Sequence, residues 1–523
     1  MLRQFIDGTD ELEGVLLVVL APQEFLTDTR RGLNRYEALK LRIWDEVRDR
    51  HYQNPLGALI RLSSYAEESS QASGESGQPE RPAMANGNVS HQRVIEALRS
   101  GVPNKDVVQA LGSRQPDIEG KFRRMLQRME EQVATNLPTP GLVIEGGFGS
   151  GKSHLLKALQ HLAVEQRFVC SPIVISKETP LYNGVPLFRS AITNAIVPGK
   201  QGDALTEICG ELNFQSPQYA DFFSWAHQKG AGCDSRLAPK LFLYARMINA
   251  PALRPWLIRY WAGDPISNSQ LKKYLQGCPS DTPYEFEKIS TQELAWQRFQ
   301  FVSRLIVAAG YKGWILLIDE AEIIGRYSFK QRMKSYKEIA GWLGLLEKTA
   351  YPAIGAVVAL TDDFQLAVLD EKQDSPKIEG LSELSELSGG SLEAREALKG
   401  IRFIEQSSDA LIRPYDSMVD ELYERLRTLH GSAYSWEAPP VSAVEKLAST
   451  RMREYVRGWI TEWDLRRLYP NVQLDIEITE VRQHYEEDQE FEAPSMEESE
   501  AHQPESESED PLMALAAQNQ EPM

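Results

Sequence analysis

Residues 142–156 read LVIEGGFGSGKSHLL: an apolar run, a glycine-rich turn, then a lysine, a serine and a helix-forming sequence. No other stretch restricts the fold as strongly. It matches G-x-x-x-x-G-K-[ST] through Gly146, Gly151, Lys152 and Ser153. Glycine tolerates positive φ, so successive backbone N–H groups can turn inward around phosphate oxygens. The candidate phosphate cradle is therefore Gly146, Gly147, Phe148, Gly149, Ser150, Gly151, Lys152, Ser153 and His154. Lys152 is placed to reach β- and γ-phosphates, Ser153 to ligate Mg2+, and the helix beginning there to aim its positive end at the anion. A nucleoside triphosphate, ATP with Mg2+, is the ligand this pattern expects.

Such a loop needs acids on a neighbouring strand, and WILLIDE (314–320) supplies them. Asp319 is expected to hold the metal and Glu320 to polarise the attacking water. A second acidic strand end, GAVVALTDDF, offers Thr361 as a contact to the γ-phosphate or the water; a turn or helix-cap role competes with that reading. Arg402, Arg413 and Arg453 are the candidate sensor or trans-acting arginines. In IVISKETPLYNG, Lys177, Glu178 and Thr179 either contact nucleotide or a neighbouring subunit, or form a capped turn after a strand.

Strand, loop, helix and strand follow in the order of a parallel α/β sheet flanked by helices. The expected organisation has an N-terminal segment at 1–62, a Ser/Gly/Glu/Pro-rich linker at 63–88 and a P-loop core at 89–370. That core carries an aromatic-rich helical insertion at about 200–300. A mobile excursion at 371–400, a helical C-terminal unit at 401–472 (winged-helix-like in one reading) and an acidic disordered tail at 480–523 complete it.

The net charge of −18 is concentrated in the tail, where fourteen acids and one arginine follow from Glu480 onward. The body is only mildly acidic, so a local DNA-binding face is neither excluded nor supported. Cys170, Cys209, Cys233 and Cys278 lie far apart, against a disulfide framework or a zinc site. No apolar run is long enough to span a bilayer, and the first residues lack the basic start of a signal peptide. A cytoplasmic protein is expected.

Four stretches, ALRSGVPNKDVVQALGSRQPDIEGKF, GGFGSGKSHLL, ISKETPLYN and AAGYKGWILLIDEAE, occur in that order. Together they resemble the BREX-system ATP-binding domain family of bacterial phage-defence operons, including methylation-associated ones, over roughly residues 90–470. The resemblance implies an AAA+-like ATPase fold and a long helical insertion between Lys152 and Asp319. It implies Lys152, Ser153, Asp319 and Glu320 as the nucleotide site, Arg453 as a sensor, and other defence proteins as partners. The N-terminal segment resembles the part of a related ATPase that follows the acidic strand, as if it were the fused tail of a paralogue.

The expected function is a Mg2+-dependent ATPase serving as motor or switch in anti-phage defence, assembled as a homo- or hetero-oligomer. Two alternatives stand beside it. One is a nucleotide-gated interaction module with little turnover. The other is an ATP-dependent DNA-binding regulator using the arginines of RMREYVRGWITEWDLRRL (451, 453, 457, 466 and 467), which an amphipathic packing helix with a basic outer face explains better.

Overall fold

A strand apolar at every position must be covered on both faces, which in soluble proteins means a parallel sheet between helical layers. Two strands here are of that kind. Trp314–Asp319 is buried up to its last residue, and Ile354–Leu360 is buried throughout. The computed structural model describes residues 85–101, 104–133, 137–228, 237–246, 253–264, 289–346, 353–384, 391–413, 415–441, 452–470 and Tyr485. The chain divides between Ala83 and Met84, inside the stretch expected as a linker. The N-terminal segment, most of that linker and, apart from Tyr485, the acidic tail lie outside the described residues.

Five parallel strands form the sheet: β1 (Leu142–Glu145), β2 (Val169–Val174), β3 (Trp314–Asp319), β4 (Ile354–Leu360) and β5 (Ser408–Ala410). Their spatial order is β2-β3-β4-β1-β5. Strand β4 therefore separates the strand leading into the glycine loop from the strand ending in acids. Its register, Glu145 opposite Leu360 and Ile318 opposite Val358, brings all three carboxyl ends to one edge. Alternating side chains feed two cores. Val143, Ile173, Leu316 and Val358 point to one, and Ile144, Cys170, Leu317 and Val357 to the other.

The second core is closed by α3 (Pro116–Gln132) and α4 (Lys152–Glu165). The first is filled by the expected helical insertion, whose described helices run from α5 (Gly184–Thr193) through α6 (Ala204–Gly210), α7 (Pro217–His227), α8 (Leu237–Arg246) and α9 (Leu253–Ala262) to α10 (Thr291–Ala308). Aromatic edges and faces bind this layer to the sheet: Phe299 lies 5.0 Å from Phe188, 5.5 Å from Trp314 and 4.5 Å from Trp342 between ring centroids. Such pairs contribute about 0.5–1.5 kcal/mol beyond burial.

A third apolar cluster stands apart from the sheet. It joins α1 (Ala85–Ser100) and α2 (Lys105–Leu111), from before the core, to α14 (Asp416–Tyr434) and α15 (Met452–Leu468), from after it. Val94, Ile95, Leu422, Leu426, Trp459 and Trp463 meet there. Arg99 crosses to Asp464 at 2.6 Å, and His430 Nε2 lies 3.1 Å from the same carboxylate. The expected C-terminal unit is thus helical and shared with the N-terminal helices. Its winged-helix form is not seen among the described residues.

Two other expectations change. Residues 371–400, read as a mobile excursion, carry α12 (Asp374–Leu384) and most of α13 (Ser391–Ser407). Asp374 is fully buried and takes a bidentate pair from Arg332 of α11 (Phe329–Trp342), at 2.7 and 2.8 Å, with the Tyr336 hydroxyl donating at 2.7 Å. Removing one partner of such a pair costs about 3–5 kcal/mol, so this stretch is fastened to the core. The boundary expected at 401 falls within α13, and β5 behind it belongs to the sheet through pairing with β1.

Candidate nucleotide site

Gly146 follows β1 and donates its N–H to the Leu360 carbonyl of β4 at 3.2 Å. Gly149 (φ 79°) and Gly151 (φ 105°) take left-handed backbone that a side chain resists, and α4 starts at Lys152. The turn is tight: a Cβ on Gly146 would stand 2.5 Å from Ser150 Oγ. Ser150 Oγ is itself buried with no hydrogen-bond partner among the described residues, a polar atom suited to meet an anion at this loop. His154 also lines the cleft, its Nε2 2.6 Å from the Gly112 carbonyl, and burial lowers its pKa.

Lys152 is buried, with Nζ donating to the Gly146 carbonyl at 2.6 Å and lying 3.9 Å from Glu322 Oε1. Ser153 Oγ donates to Asp319 Oδ2 at 2.6 Å, joining the glycine loop to the acidic strand across 166 positions of sequence. The other Asp319 oxygen accepts the backbone N–H of Glu320 at 3.0 Å. Glu320 sits in left-handed backbone (φ 57°, ψ 31°), uncommon for a residue with a side chain and a form of strain that clusters at working sites. Burial, then Asp319, raises the Glu320 pKa, while Lys152 and Arg453 oppose the rise.

Glu322, which sequence reading passed over, is 2% exposed on the cleft wall beneath Lys152. Burial pushes its pKa up to about 7, opposed by Lys152, and its Oε2 has no hydrogen-bond partner among the described residues. Its position two residues past Glu320 in DEAE was visible, but nothing local distinguished it from a helix-start acid.

The opposite wall comes from the helical cluster. Arg453 donates its backbone N–H to the Gly149 carbonyl at 3.1 Å, and its guanidinium stands 5.0 Å from the Phe148 ring centroid. Burial, then Arg457, lowers its pKa, while Glu320 and Asp319 oppose that. Between the walls runs a cleft that is polar at the loop and apolar beyond it, where Leu98, Val107, Leu111, Met418, Leu422 and Val456 line it. A cleft with one apolar end and a glycine loop at the other suits a flat base joined to phosphates.

The remaining expected residues are placed differently. Thr361 is 3% exposed, off the cleft wall, and its hydroxyl lies 2.8 Å from that of Tyr485. Arg413 is highly exposed, 3.7 Å from Asp362, whose carboxylate borders Gly147 at the mouth of the loop. Arg402 pairs with Glu379 at 3.4 Å on exposed helices away from the cleft. Lys177 to Thr179 form a capped turn in which Ser176 Oγ accepts the N–H groups of Glu178 and Thr179. In α15 the aromatics Tyr455, Trp459 and Trp463 face the core, Arg466 pairs with Glu462, and Arg467 covers Tyr434, the arrangement of a packing helix.

Hard oxygen donors such as Ser153 and Asp319 fit Mg2+, which keeps several waters and phosphate oxygens of its own. Among the described residues no group of three or more His, Cys, Asp or Glu could hold a metal, and none is long and apolar enough as a helix to cross a membrane. No curated protein and no solved structure matches the chain. Residues 1–75, 88–275 and 284–374 match the family described as BREX system ATP-binding protein BrxC/D. The N-terminal segment thus shares in the match, which spans more than half of the 523 residues, and the chain belongs to the family of BREX system ATP-binding proteins.

Proposed function

We infer that the chain is a Mg2+-dependent, AAA+-like ATPase that couples its nucleotide state to assembly with other BREX proteins. The single observation that carries this reading is the Ser153–Asp319 contact, which unites loop and acidic strand with Glu320 beside them. Mg2+ held by Ser153 and Asp319 would neutralise phosphate charge.

Lys152 exchanges the Gly146 carbonyl for β- and γ-phosphate oxygens, and the loop N–H groups take the rest. Glu320, whose raised pKa makes it a better base than an ordinary carboxylate, takes a proton from the attacking water. The water oxygen bonds to the terminal phosphorus as its bond to the ADP oxygen breaks. Arg453 stabilises the charge that develops, and its backbone bond to Gly149 carries the change into the helical cluster. That coupling favours a switch between nucleotide states, with oligomer formation and DNA contact as downstream effects.

Lys152→Ala is expected to abolish ATP binding, whereas Glu320→Gln is expected to bind ATP and lose about 100-fold or more in steady-state phosphate release. Parent-like hydrolysis by Glu320→Gln would refute the base assignment. Tight binding with negligible release by the parent chain, with and without DNA, would point instead to a gated module without turnover.

A further inference from the structure

Three carboxyl groups line the cleft near Lys152: Asp319, Glu320 and Glu322. The chemistry proposed above uses the first two. Glu322 is too deeply buried to meet an attacking water, and it sits on the short helix Ala321–Arg326 that follows β3.

Its surroundings give an acid little support. Oε1 lies 3.9 Å from Lys152 Nζ, outside hydrogen-bond range, and Oε2 is the unpartnered atom noted above. The ammonium itself donates to the Gly146 carbonyl. Lys152 from α4 and the backbone N–H of Glu322 favour the charged form, while Asp319 and Glu320 from the end of β3 oppose it. The Tyr485 hydroxyl lies within range of its charge as well. Arg332 of α11, which packs on the same short helix, is engaged with Asp374 and the Tyr327 carbonyl, and β4 is apolar along its length. The ionised carboxyl therefore leans on the same ammonium that a polyphosphate needs. Phosphate oxygens brought to Lys152 add negative charge beside a buried carboxylate, and protonating the carboxyl relieves the repulsion.

We propose that Glu322 is a positioning residue that acts through Lys152: the carboxyl and a bound polyphosphate compete for the lysine's charge, and nucleotide enters the cleft together with a proton taken up from solvent at Glu322. This rests on the nucleotide reading given above, with Lys152 as the phosphate-binding cation. The proton adds to a carboxylate oxygen, Oε2 being the one without a partner, and returns to solvent when nucleotide leaves. Burial already holds the carboxyl at about 7, and phosphate raises it further. By linkage, nucleotide affinity is fullest below about 7 and falls as pH rises beyond it.

The test uses the full chain and ADP with Mg2+, so that no turnover intervenes. Calorimetry at pH about 8 in two buffers of different ionisation enthalpy counts the protons: the parent is expected to take up about half a proton or more beyond Glu322→Gln. ADP affinity should fall about five-fold between pH about 7 and about 8.5 in the parent, and change by less than about two-fold in Glu322→Gln. Groups common to both proteins, His154, Glu320 and the nucleotide among them, cancel in the difference. The infrared difference spectrum of the parent should also gain the C=O band of a protonated carboxyl when ADP is added, whether or not the variant folds. Equal proton uptake in the two proteins, an equally pH-dependent affinity, or no such band in the parent would overturn the role of Glu322 and leave the nucleotide reading standing. ADP binding that survives Lys152→Ala would overturn the nucleotide reading itself, and the role of Glu322 with it.

Discussion

The two walls of the cleft are built on different foundations. The wall bearing Lys152, Ser153, Asp319 and Glu320 is the edge of a parallel sheet with a core on each face. The wall bearing Arg453 belongs to a helical cluster with its own core, assembled from both ends of the described chain. The polar links between them include Arg453 to Gly149 and His154 to Gly112. Phosphate chemistry needs fixed geometry, and the sheet edge provides it. A wall held by a few hydrogen bonds and by α2 packing on α4, over a separate core, can move as a body and report what the other wall holds.

The largest expected effect tests whether the foundations are separate. Trp314 and Trp463 are both fully buried, one in the sheet and one in the helical cluster. Each change to alanine should cost about 3–5 kcal/mol. For Trp314→Ala, hydrogen exchange should show the whole described unit weakened. For Trp463→Ala, protection should fall in α1, α14 and α15 while β1, β3 and β4 keep theirs. Uniform loss in both variants would merge the two walls into one cooperative body.

A comparable effect lies in pH. Glu322 holds its proton more tightly folded, with a pKa of about 7, than its ordinary 4.5. Its contribution to stability is therefore fullest below about 4.5 and is lost as pH rises towards 7, on the order of 3 kcal/mol in all. Burial raises Glu338 to about 7 as well, so it adds a slope of the same sign. Urea midpoints between pH 5 and 8 should fall with pH in the parent and fall less in Glu322→Gln. An unchanged slope in that variant would remove Glu322 from the account of how the phosphate wall stores electrostatic strain beneath Lys152.

The same division explains what sequence reading could reach. The sheet edge was legible because its residues are local: a glycine loop between strand and helix, and acids at the end of an apolar run. β5 was not, because Ser408, Asp409 and Ala410 have no apolar pattern and owe their strand to β1. α12 was missed because its sequence is polar and contains Pro376. That proline falls in the first turn, where a missing N–H costs little, and what seats the helix is a buried arginine 42 positions away. Tyr485 could not be found from composition, since the acids around it read as a solvated tail. The helical wall was legible only as helices; its pairing of α1 with α14 and α15 is a long-range packing event that no local period encodes.

The smallest effect is the most discriminating for that pairing. Arg99 reaches from α1 to Asp464 of α15 at 2.6 Å, and its Nη2 also donates to the Tyr434 hydroxyl at 3.1 Å. The arginine is about a third exposed, so solvent screens the pair and Arg99→Ala should cost only about 1 kcal/mol of global stability. Its effect on the walls should be less even. Asp464 loses a partner that holds its pKa down and keeps His430, while the sheet edge stays as it was. ADP affinity should then remain within about two-fold of the parent, while hydrogen exchange at the end of α15, around Asp464, speeds up. If ADP affinity falls together with that protection, the few hydrogen bonds between the walls transmit far more than their number suggests, and the cleft is one rigid site.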